Sequence, residues 1–238
     1  MSMGDAAPQR WLYGRRRGRA LRPSQGALLD TLLPVLRFEL PATGELDPRR
    51  LFSLEVGEIW LEVGFGAGEH LAAQARANPH HGLIGCEVFE NGIVKLLAEA
   101  KRDGLGNLRL FIDDARLLIA ALRPASLARV FILFPDPWPK QRHQKRRIVS
   151  GHILDELARA MSDGAELRLA TDDMDYARSM LECAGGHVDF ERLTRGPDDW
   201  RSRPADWPVT RYEQKAASAG RRTVFLRFRR RARLRPED

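Results

Sequence analysis

The stretch IWLEVGFGAGEHL at positions 59–71 decides the fold class of this chain. Its first five residues form a short apolar run of strand length, and the three glycines that follow allow the backbone to turn sharply. The next segment, 70–77, has the spacing of apolar residues that is typical of a helix. A strand, a glycine-rich turn and a helix in this order predict the first unit of an α/β domain.

The same alternation continues along the rest of the chain. Strands are predicted at 59–63, 83–86, 108–112, 130–134, 166–170, 188–193 and 223–228. Helices are predicted at 70–77, 89–101, 115–122, 148–161 and 173–184. Such alternation predicts a doubly wound, mostly parallel, seven-stranded sheet of Rossmann-like type, with helices on both faces. No helix of comparable length precedes the last strand, which is therefore free to pair antiparallel.

The N-terminal residues differ from this pattern. Residues 1–27 combine arginine, glycine, proline and glutamine with little periodicity, which predicts a basic and flexible arm. Residues 28–238 are predicted to form a single domain, which is an ordinary length for one.

Composition and charge indicate the class of partner. The chain has 238 residues, with 39 Lys and Arg against 32 Asp and Glu, a formal charge of +7. The basic residues cluster in the arm, at 140–147 and at 221–235, so we expect a polyanionic partner. Two distant cysteines suit a reducing compartment, and we expect a cytoplasmic protein. The sequence has no membrane-spanning run, no exported leader pattern and no metal-ligand spacing.

A carboxylate beside the glycine loop indicates which class of ligand the loop binds. Glu62 comes just before Gly64 and Gly66, in a GxGxG spacing rather than the GxGxxG of dinucleotide sites. A carboxylate here suits a cationic amine and not a pyrophosphate. An ordinary tight turn between strand and helix is the alternative interpretation.

Further acids follow the next two strands. Glu87 stands about 20 residues beyond the glycine loop, where ribose hydroxyls are bound in related sheets. The pair Asp113-Asp114 follows the third strand, where either residue could simply cap a helix. Acids at three successive strand ends predict a pocket for a nucleoside that carries an amine, which indicates S-adenosyl-L-methionine rather than NAD.

A stiff, basic segment follows the fourth strand, with the sequence PDPWPKQRHQKRR at 135–147. Each proline restricts itself and the residue before it, so Asp136 and Trp138 are expected in extended geometry. The segment would present Asp136 where substrate enters. A stiff loop with a solvated basic face is the alternative.

Together, these motifs resemble those of the bacterial tRNA (guanine-N7-)-methyltransferases. The resemblance spans Arg10 to about Phe228, and its most specific part is the run at 135–147. The motifs TDD at 171–173 and TRYE at 210–213 add to it. The resemblance implies a class I methyltransferase fold and methyl transfer from S-adenosyl-L-methionine to N7 of guanine 46, in the variable loop of tRNA.

The resemblance also implies roles for individual residues. Glu62, Glu87 and Asp114 match cofactor positions, with Asp114 preferred to Asp113 because the family pattern has the acid directly before alanine. Asp136 matches the proposed catalytic residue. Substrate positions are matched by Lys140, Asp172, Thr210, Arg211, Tyr212 and Glu213.

Other functions remain open at this stage. The same cofactor could serve methylation of another structured RNA or of a protein side chain, or the scaffold could bind RNA without catalysis. A nicotinamide dehydrogenase is disfavoured by the glycine spacing. Monomer and homodimer are both compatible with the sequence.

Overall fold

The computed structural model describes residues 16–53, 55–193 and 196–234. These residues form one seven-stranded sheet in the order β3-β2-β1-β4-β5-β7-β6. The strands are β1 (Ile59–Val63), β2 (Gly82–Cys86), β3 (Leu108–Phe111), β4 (Leu127–Leu133), β5 (Met161–Thr171), β6 (Phe190–Arg192) and β7 (Val224–Arg230). The predicted fold class is confirmed.

Strand directions follow the prediction as well. Strands β1 to β5 pair in parallel, whereas β7 pairs antiparallel with both β5 and β6. The chain runs outward from β1 to β3, then returns to place β4 on the other side of β1. Strand order therefore reverses between β1 and β4, and doubly wound sheets bind their ligands at the carboxyl end of this switch point.

Helices cover both faces of the sheet. They are α1 (Pro23–Thr31), α2 (Leu33–Leu36), α3 (Glu69–Ala77), α4 (Glu90–Asp103), α5 (Ala115–Ala121), α6 (Gly151–Ala160), α7 (Met174–Gly185), α8 (Pro197–Arg201) and α9 (Arg211–Ser218). Short 3₁₀ segments lie at Pro48–Leu51 and Gln141–Arg146. Among the described residues, no helix is long and apolar enough to cross a membrane.

Alternation along β1 divides the core into two parts. Ile59, Leu61 and Val63 pack with apolar residues of α5, α6 and α7, whereas Trp60 packs with those of α1, α3 and α4. Successive side chains on a strand point to opposite faces. Glu62 therefore lies on the same face as Trp60, under α3.

Several predicted boundaries are wrong. β5 begins at Met161 and has 11 residues, so the residue predicted to end the preceding helix starts the strand instead. β6 has 3 residues, and Val188, predicted as its first residue, is 83% exposed. The sequence did not predict the early part of β5, because residues 162–164 are serine, aspartate and glycine, which are uncommon inside strands.

Helix α1 crosses residue 27, so the last part of the predicted arm is helical. Proline in its first turn is compatible with a helix start. Only Leu28 of α1 is buried, which explains why the segment has little apolar periodicity. Residues 1–15 lie outside the described residues, and the division into arm and domain stays a prediction.

Candidate functional site

A cavity of about 400 Å³ opens at the carboxyl ends of β1, β2, β3 and β4, and we call it the strand-end cavity. Four carboxylates from the three loops after β2, β3 and β4 line it: Glu87, Asp113, Asp114 and Asp136. Its position is the switch point of the sheet, as expected for a ligand site.

The glycine loop forms one wall of this cavity through Gly64 and Gly66. Gly66 has φ 57°, a left-handed conformation that side chains rarely adopt, and a Cβ atom there would lie 3.0 Å from the Tyr212 ring. On its other side the loop meets α4. A Cβ atom on Gly92 would lie 1.9 Å from the Gly66 carbonyl oxygen. Gly92 was missed at the sequence level, although a glycine in the first turn of a helix is a recognisable signal of close approach.

Hydrogen bonds to the Glu87 carboxylate connect the glycine loop with the start of α4. Its Oε2 accepts from the Gly66 N–H at 2.8 Å, and its Oε1 accepts from the N–H groups of Val88 and Phe89 at 2.7 and 3.0 Å. Burial raises the pKa of Glu87, although these three backbone donors oppose the shift, and the charge of Asp136 raises it further. Glu87 is therefore held in one orientation at the cavity wall.

The pair Asp113-Asp114 occupies the end of β3. Asp114 is buried and caps α5, accepting from the Arg116 N–H at 3.0 Å, and it forms an ion pair with the Arg116 side chain at 3.2 Å. Asp113 accepts from the Asp114 N–H at 2.8 Å. The capping role considered from the sequence is thus present, and both residues also line the cavity.

Glu62 has a different position from the other acids. It is 3% exposed, and its Oε2 lies 2.7 Å from Nδ1 of His70, which is equally buried. The described residues that line the strand-end cavity include its neighbours Val63 and Gly64 but not Glu62. Strand alternation explains this, because it turns Glu62 toward α3, which carries His70.

Cys86 also lines the cavity. Its Sγ lies 3.2 Å from the Asp113 carbonyl oxygen, and burial raises its pKa well above the usual range. The thiolate is the nucleophilic form of cysteine. A buried thiol surrounded by carboxylates is therefore unsuited to covalent catalysis.

The segment after β4 adopts a strained backbone. Trp138 has φ 44°, so the prediction of extended geometry at Trp138 is wrong. Its ring packs beneath the Arg146 guanidinium at 4.9 Å and against His143, which compensates for the left-handed conformation. Phe134 also has a positive φ, 50°, and its ring stacks on Tyr212 at 6.2 Å. Left-handed non-glycine residues cost about 1–3 kcal/mol each and cluster at functional sites.

Asp136 stands between these two strained residues. It is exposed, yet it lines the strand-end cavity together with Pro135 and Trp138. A carboxylate held between two prolines on a packed segment loses little freedom when it binds a ligand. The arrangement suits a group that orients a substrate.

Arg147 does not belong to the free basic surface predicted for 140–147. It is 6% exposed, donates to the Pro137 carbonyl oxygen at 2.8 Å and pairs with Asp175 at 2.5 Å. Its guanidinium also lies over the Tyr176 ring at 4.6 Å. Arg147 therefore anchors the segment that carries Asp136.

Of the predicted substrate residues in TRYE, one lines the cavity and three make contacts around the start of α9. Tyr212 lines the strand-end cavity. Thr210 caps α9 by accepting from the Glu213 N–H, and Glu213 pairs with Arg203 at 3.3 Å. The N–H of Arg211 donates to Glu69 at 3.0 Å.

Two further predicted substrate residues lie elsewhere. Lys140 is exposed and precedes the 3₁₀ segment at Gln141–Arg146. Asp172 forms an ion pair with Arg221 at 2.8 Å. Neither is among the described residues that line the cavity.

The C-terminal arginines are mostly paired with acids. Arg230 is 5% exposed and contacts Asp163 and Asp189. Arg227 pairs with Glu166, and Arg229 with Glu191. This cluster contributes to packing around β7 and is a weaker candidate for phosphate contacts than its composition predicts.

Outside comparisons agree with this geometry. The family described as "Putative methyltransferase" matches residues 57–226. The solved 16S rRNA methyltransferase KamB superposes with a TM-score of 0.55 at 17% identity, covering 74% of this chain and 89% of that one. The fold is that of the Rossmann-like methyltransferases.

Curated relatives identify the family. The tRNA (guanine-N(7)-)-methyltransferase of Rhodospirillum rubrum is 51% identical over 93% of this chain and 88% of its own length. The protein of the same name from Paramagnetospirillum magneticum is 50% identical over 97% of both chains. The chain belongs to the tRNA (guanine-N(7)-)-methyltransferase family.

Proposed function

We propose that this enzyme transfers a methyl group from S-adenosyl-L-methionine to N7 of guanine 46 in the variable loop of tRNA. The observation that carries the proposal is the set of four carboxylates, Glu87, Asp113, Asp114 and Asp136, around one cavity at the switch point. Relatives that match more than nine-tenths of the chain carry the corresponding name.

The residues of the strand-end cavity fit S-adenosyl-L-methionine. This cofactor carries an amine, a ribose diol and a sulfonium whose methyl group is electrophilic. Glu87 offers carboxylate oxygens for the ribose, and Asp113 and Asp114 offer acceptors for the adenine amino group. The same concentration of acids would repel a pyrophosphate, so the cavity is poorly suited to NAD.

Glu62 remains part of the proposal in a restricted form. The assignment of the cofactor amine to Glu62 rests on the resemblance, because His70 engages Oε2 of Glu62 and the described residues that line the strand-end cavity do not include Glu62. His70 would then act as a positioning residue, since it fixes the orientation of the carboxylate.

The nucleophile needs no base. Guanine N7 has a lone pair in the plane of the ring, so its attack on the methyl group does not require loss of a proton. We assign Asp136 to the guanine N1–H and N2–H groups, where it accepts hydrogen bonds and offsets the positive charge that develops on the ring. Alignment of the two reactants supplies most of the remaining acceleration.

Surrounding residues support this position of Asp136. The Arg147 anchor and the strained Phe134 and Trp138 fix the segment before substrate arrives. Tyr212 is the best supported of the proposed substrate residues, because its ring stacks on Phe134 at the cavity.

The other substrate assignments remain proposals that rest on the resemblance. They are Lys140, Asp172, Thr210, Arg211 and Glu213. We assign Thr210 and Glu213 a role at the start of α9, because Thr210 caps this helix by accepting from the Glu213 N–H. A cytoplasmic location also stays a prediction, and so does the choice between monomer and homodimer.

Methyl incorporation tests the proposal. The enzyme is incubated with labelled S-adenosyl-L-methionine and bulk tRNA that lacks 7-methylguanosine, and the digested nucleosides are then separated. Label in 7-methylguanosine supports the proposed function. Label in another nucleoside would instead favour a different methylation, and an absence of label with intact cofactor binding would favour the noncatalytic alternative.

A further inference from the structure

A second cavity lies against the strand-end cavity, on the side of α1, α2 and α4. Its volume is about 510 Å³, and we call it the arginine cavity because Arg16, Arg17 and Arg37 line it. Val88 lines both cavities and forms the partition between them. None of the residues proposed for methyl transfer lines the arginine cavity.

The arginine cavity combines a cationic rim with an apolar floor. Leu29, Leu33, Ile93 and Ile112 form the floor. Such a combination differs from the strand-end cavity, whose lining carries four acids. A cationic cofactor would be repelled from the rim, whereas a phosphate would be attracted to it.

In the described part of the chain, the acids that pair with the rim arginines are Glu90 and Glu39. Among the described residues that line the cavity, Glu90 is the one acid, and its carboxylate lies 3.3 Å from Arg17 Nε. Arg37 pairs with Glu39, whose side chain is 70% exposed. Exposed ion pairs of this kind are weak, so Arg37 can exchange Glu39 for a phosphate at little cost.

The rim is held in place by the start of α4. The Glu90 N–H donates to the Arg16 carbonyl oxygen at 2.9 Å, and the Asn91 side chain accepts from the Gly18 N–H at 2.6 Å. Asn91 also donates to the Arg19 carbonyl oxygen at 2.8 Å. These contacts fix the backbone that carries Arg16 and Arg17, so the rim exists before any ligand binds.

We infer that the arginine cavity receives an unstacked nucleotide of the tRNA next to the methylated guanine. Its base would pack on the apolar floor, and its phosphate would bind Arg16 and Arg37. RNA loops are recognised through bases that leave the stack, and guanidinium groups bind phosphate well. The inference rests on the proposed function, because that function brings guanine to the adjoining cavity.

Affinity for an unmodified tRNA transcript at several salt concentrations tests the phosphate contact. Arg37→Ala is expected to weaken binding about 3- to 10-fold at moderate salt and to reduce the slope of log affinity against log salt by about one unit. Arg50→Ala is the matched control, because Arg50 has an 87% exposed side chain outside the cavity. Calorimetry with S-adenosyl-L-methionine verifies that each variant is folded, and Arg16→Ala provides a second variant.

Photo-crosslinking tests the base contact. A benzoylphenylalanine at Leu33 is expected to crosslink tRNA at a nucleotide adjacent to the methylated guanine. The same group at Val35, which is 67% exposed on the same short helix but outside the cavity lining, is the control. Crosslinks from Leu33 that match those from Val35, or Arg37 and Arg16 variants that bind tRNA like the control, would overturn the inference.

Failure of the inference about the arginine cavity can be distinguished from failure of the proposed function. If the wild-type enzyme forms 7-methylguanosine and the cavity variants are unaffected, only the inference about the arginine cavity is wrong. If the wild-type enzyme forms no 7-methylguanosine in tRNA, both are wrong.

Discussion

Gly92→Ala is the substitution that most directly tests the contact between α4 and the glycine loop. The added Cβ would lie 1.9 Å from the Gly66 carbonyl oxygen, well inside the 3.0 Å that Cβ atoms respect, so the backbone has to shift by about 1.1 Å. Neither partner is a flexible side-chain end. Forced overpacking of this kind costs roughly 1–3 kcal/mol of folding free energy.

The shift should also impair cofactor binding. Gly66 is the residue whose N–H donates to Glu87 at 2.8 Å, and both line the strand-end cavity. We expect the affinity for S-adenosyl-L-methionine to fall about 10-fold or more, the equivalent of about 1.4 kcal/mol.

Calorimetry and urea unfolding measure the two effects. Gly185→Ala is the matched control, since a Cβ on Gly185, in α7, meets nothing within 4 Å. It should preserve cofactor affinity and leave stability unchanged or raised by up to about 1 kcal/mol. Equal cofactor affinity in Gly92→Ala and Gly185→Ala would show that the contact between Gly92 and Gly66 does not control cofactor binding.

Further substitutions address the remaining parts of the site. Asp136→Asn should lower the single-turnover rate about 10²- to 10³-fold while cofactor affinity is retained, and a near wild-type rate in rapid-quench measurements would leave Asp136 as a loop residue only. Glu87→Ala should weaken cofactor binding by about 1.5–3 kcal/mol, and unchanged affinity by calorimetry would contradict its role. Because burial raises the pKa of Glu87 above 4.5, the wild type should lose stability relative to Glu87→Gln as pH rises through that raised pKa. A difference in unfolding free energy that is constant with pH would count against this. Arg147→Ala should lower the melting temperature and leave the salt dependence of tRNA binding unchanged, whereas Lys145→Ala, at an exposed position, should flatten that dependence without destabilising the fold. If Arg147→Ala flattened the salt dependence of tRNA binding without lowering the melting temperature, Arg147 would instead belong to the tRNA-binding surface.

Some of the site could be predicted because parallel strand ends share one edge of a sheet. Glu87, Asp114 and Asp136 each follow a strand, and this position in the sequence is sufficient to predict that they line one cavity. The glycine spacing likewise predicted the turn, since a positive φ at Gly66 has a direct sequence signal.

Other features depend on tertiary contacts that no local pattern contains. Glu62 turns to His70, a partner on another element. Trp138 adopts a left-handed conformation because Arg146 and His143 pack around its ring. Arg147 is buried by contacts with a helix 28 residues further along the chain.

A pair of tRNA substrates tests whether guanine N7 is the atom that the enzyme methylates. Two tRNA transcripts are compared, one with guanine at position 46 and one with 7-deazaguanine there, which keeps the N1–H and N2–H groups and lacks the N7 lone pair. We expect one methyl group per tRNA for the first transcript, none for the second, and similar binding of both. Equal methylation of the two transcripts would contradict it.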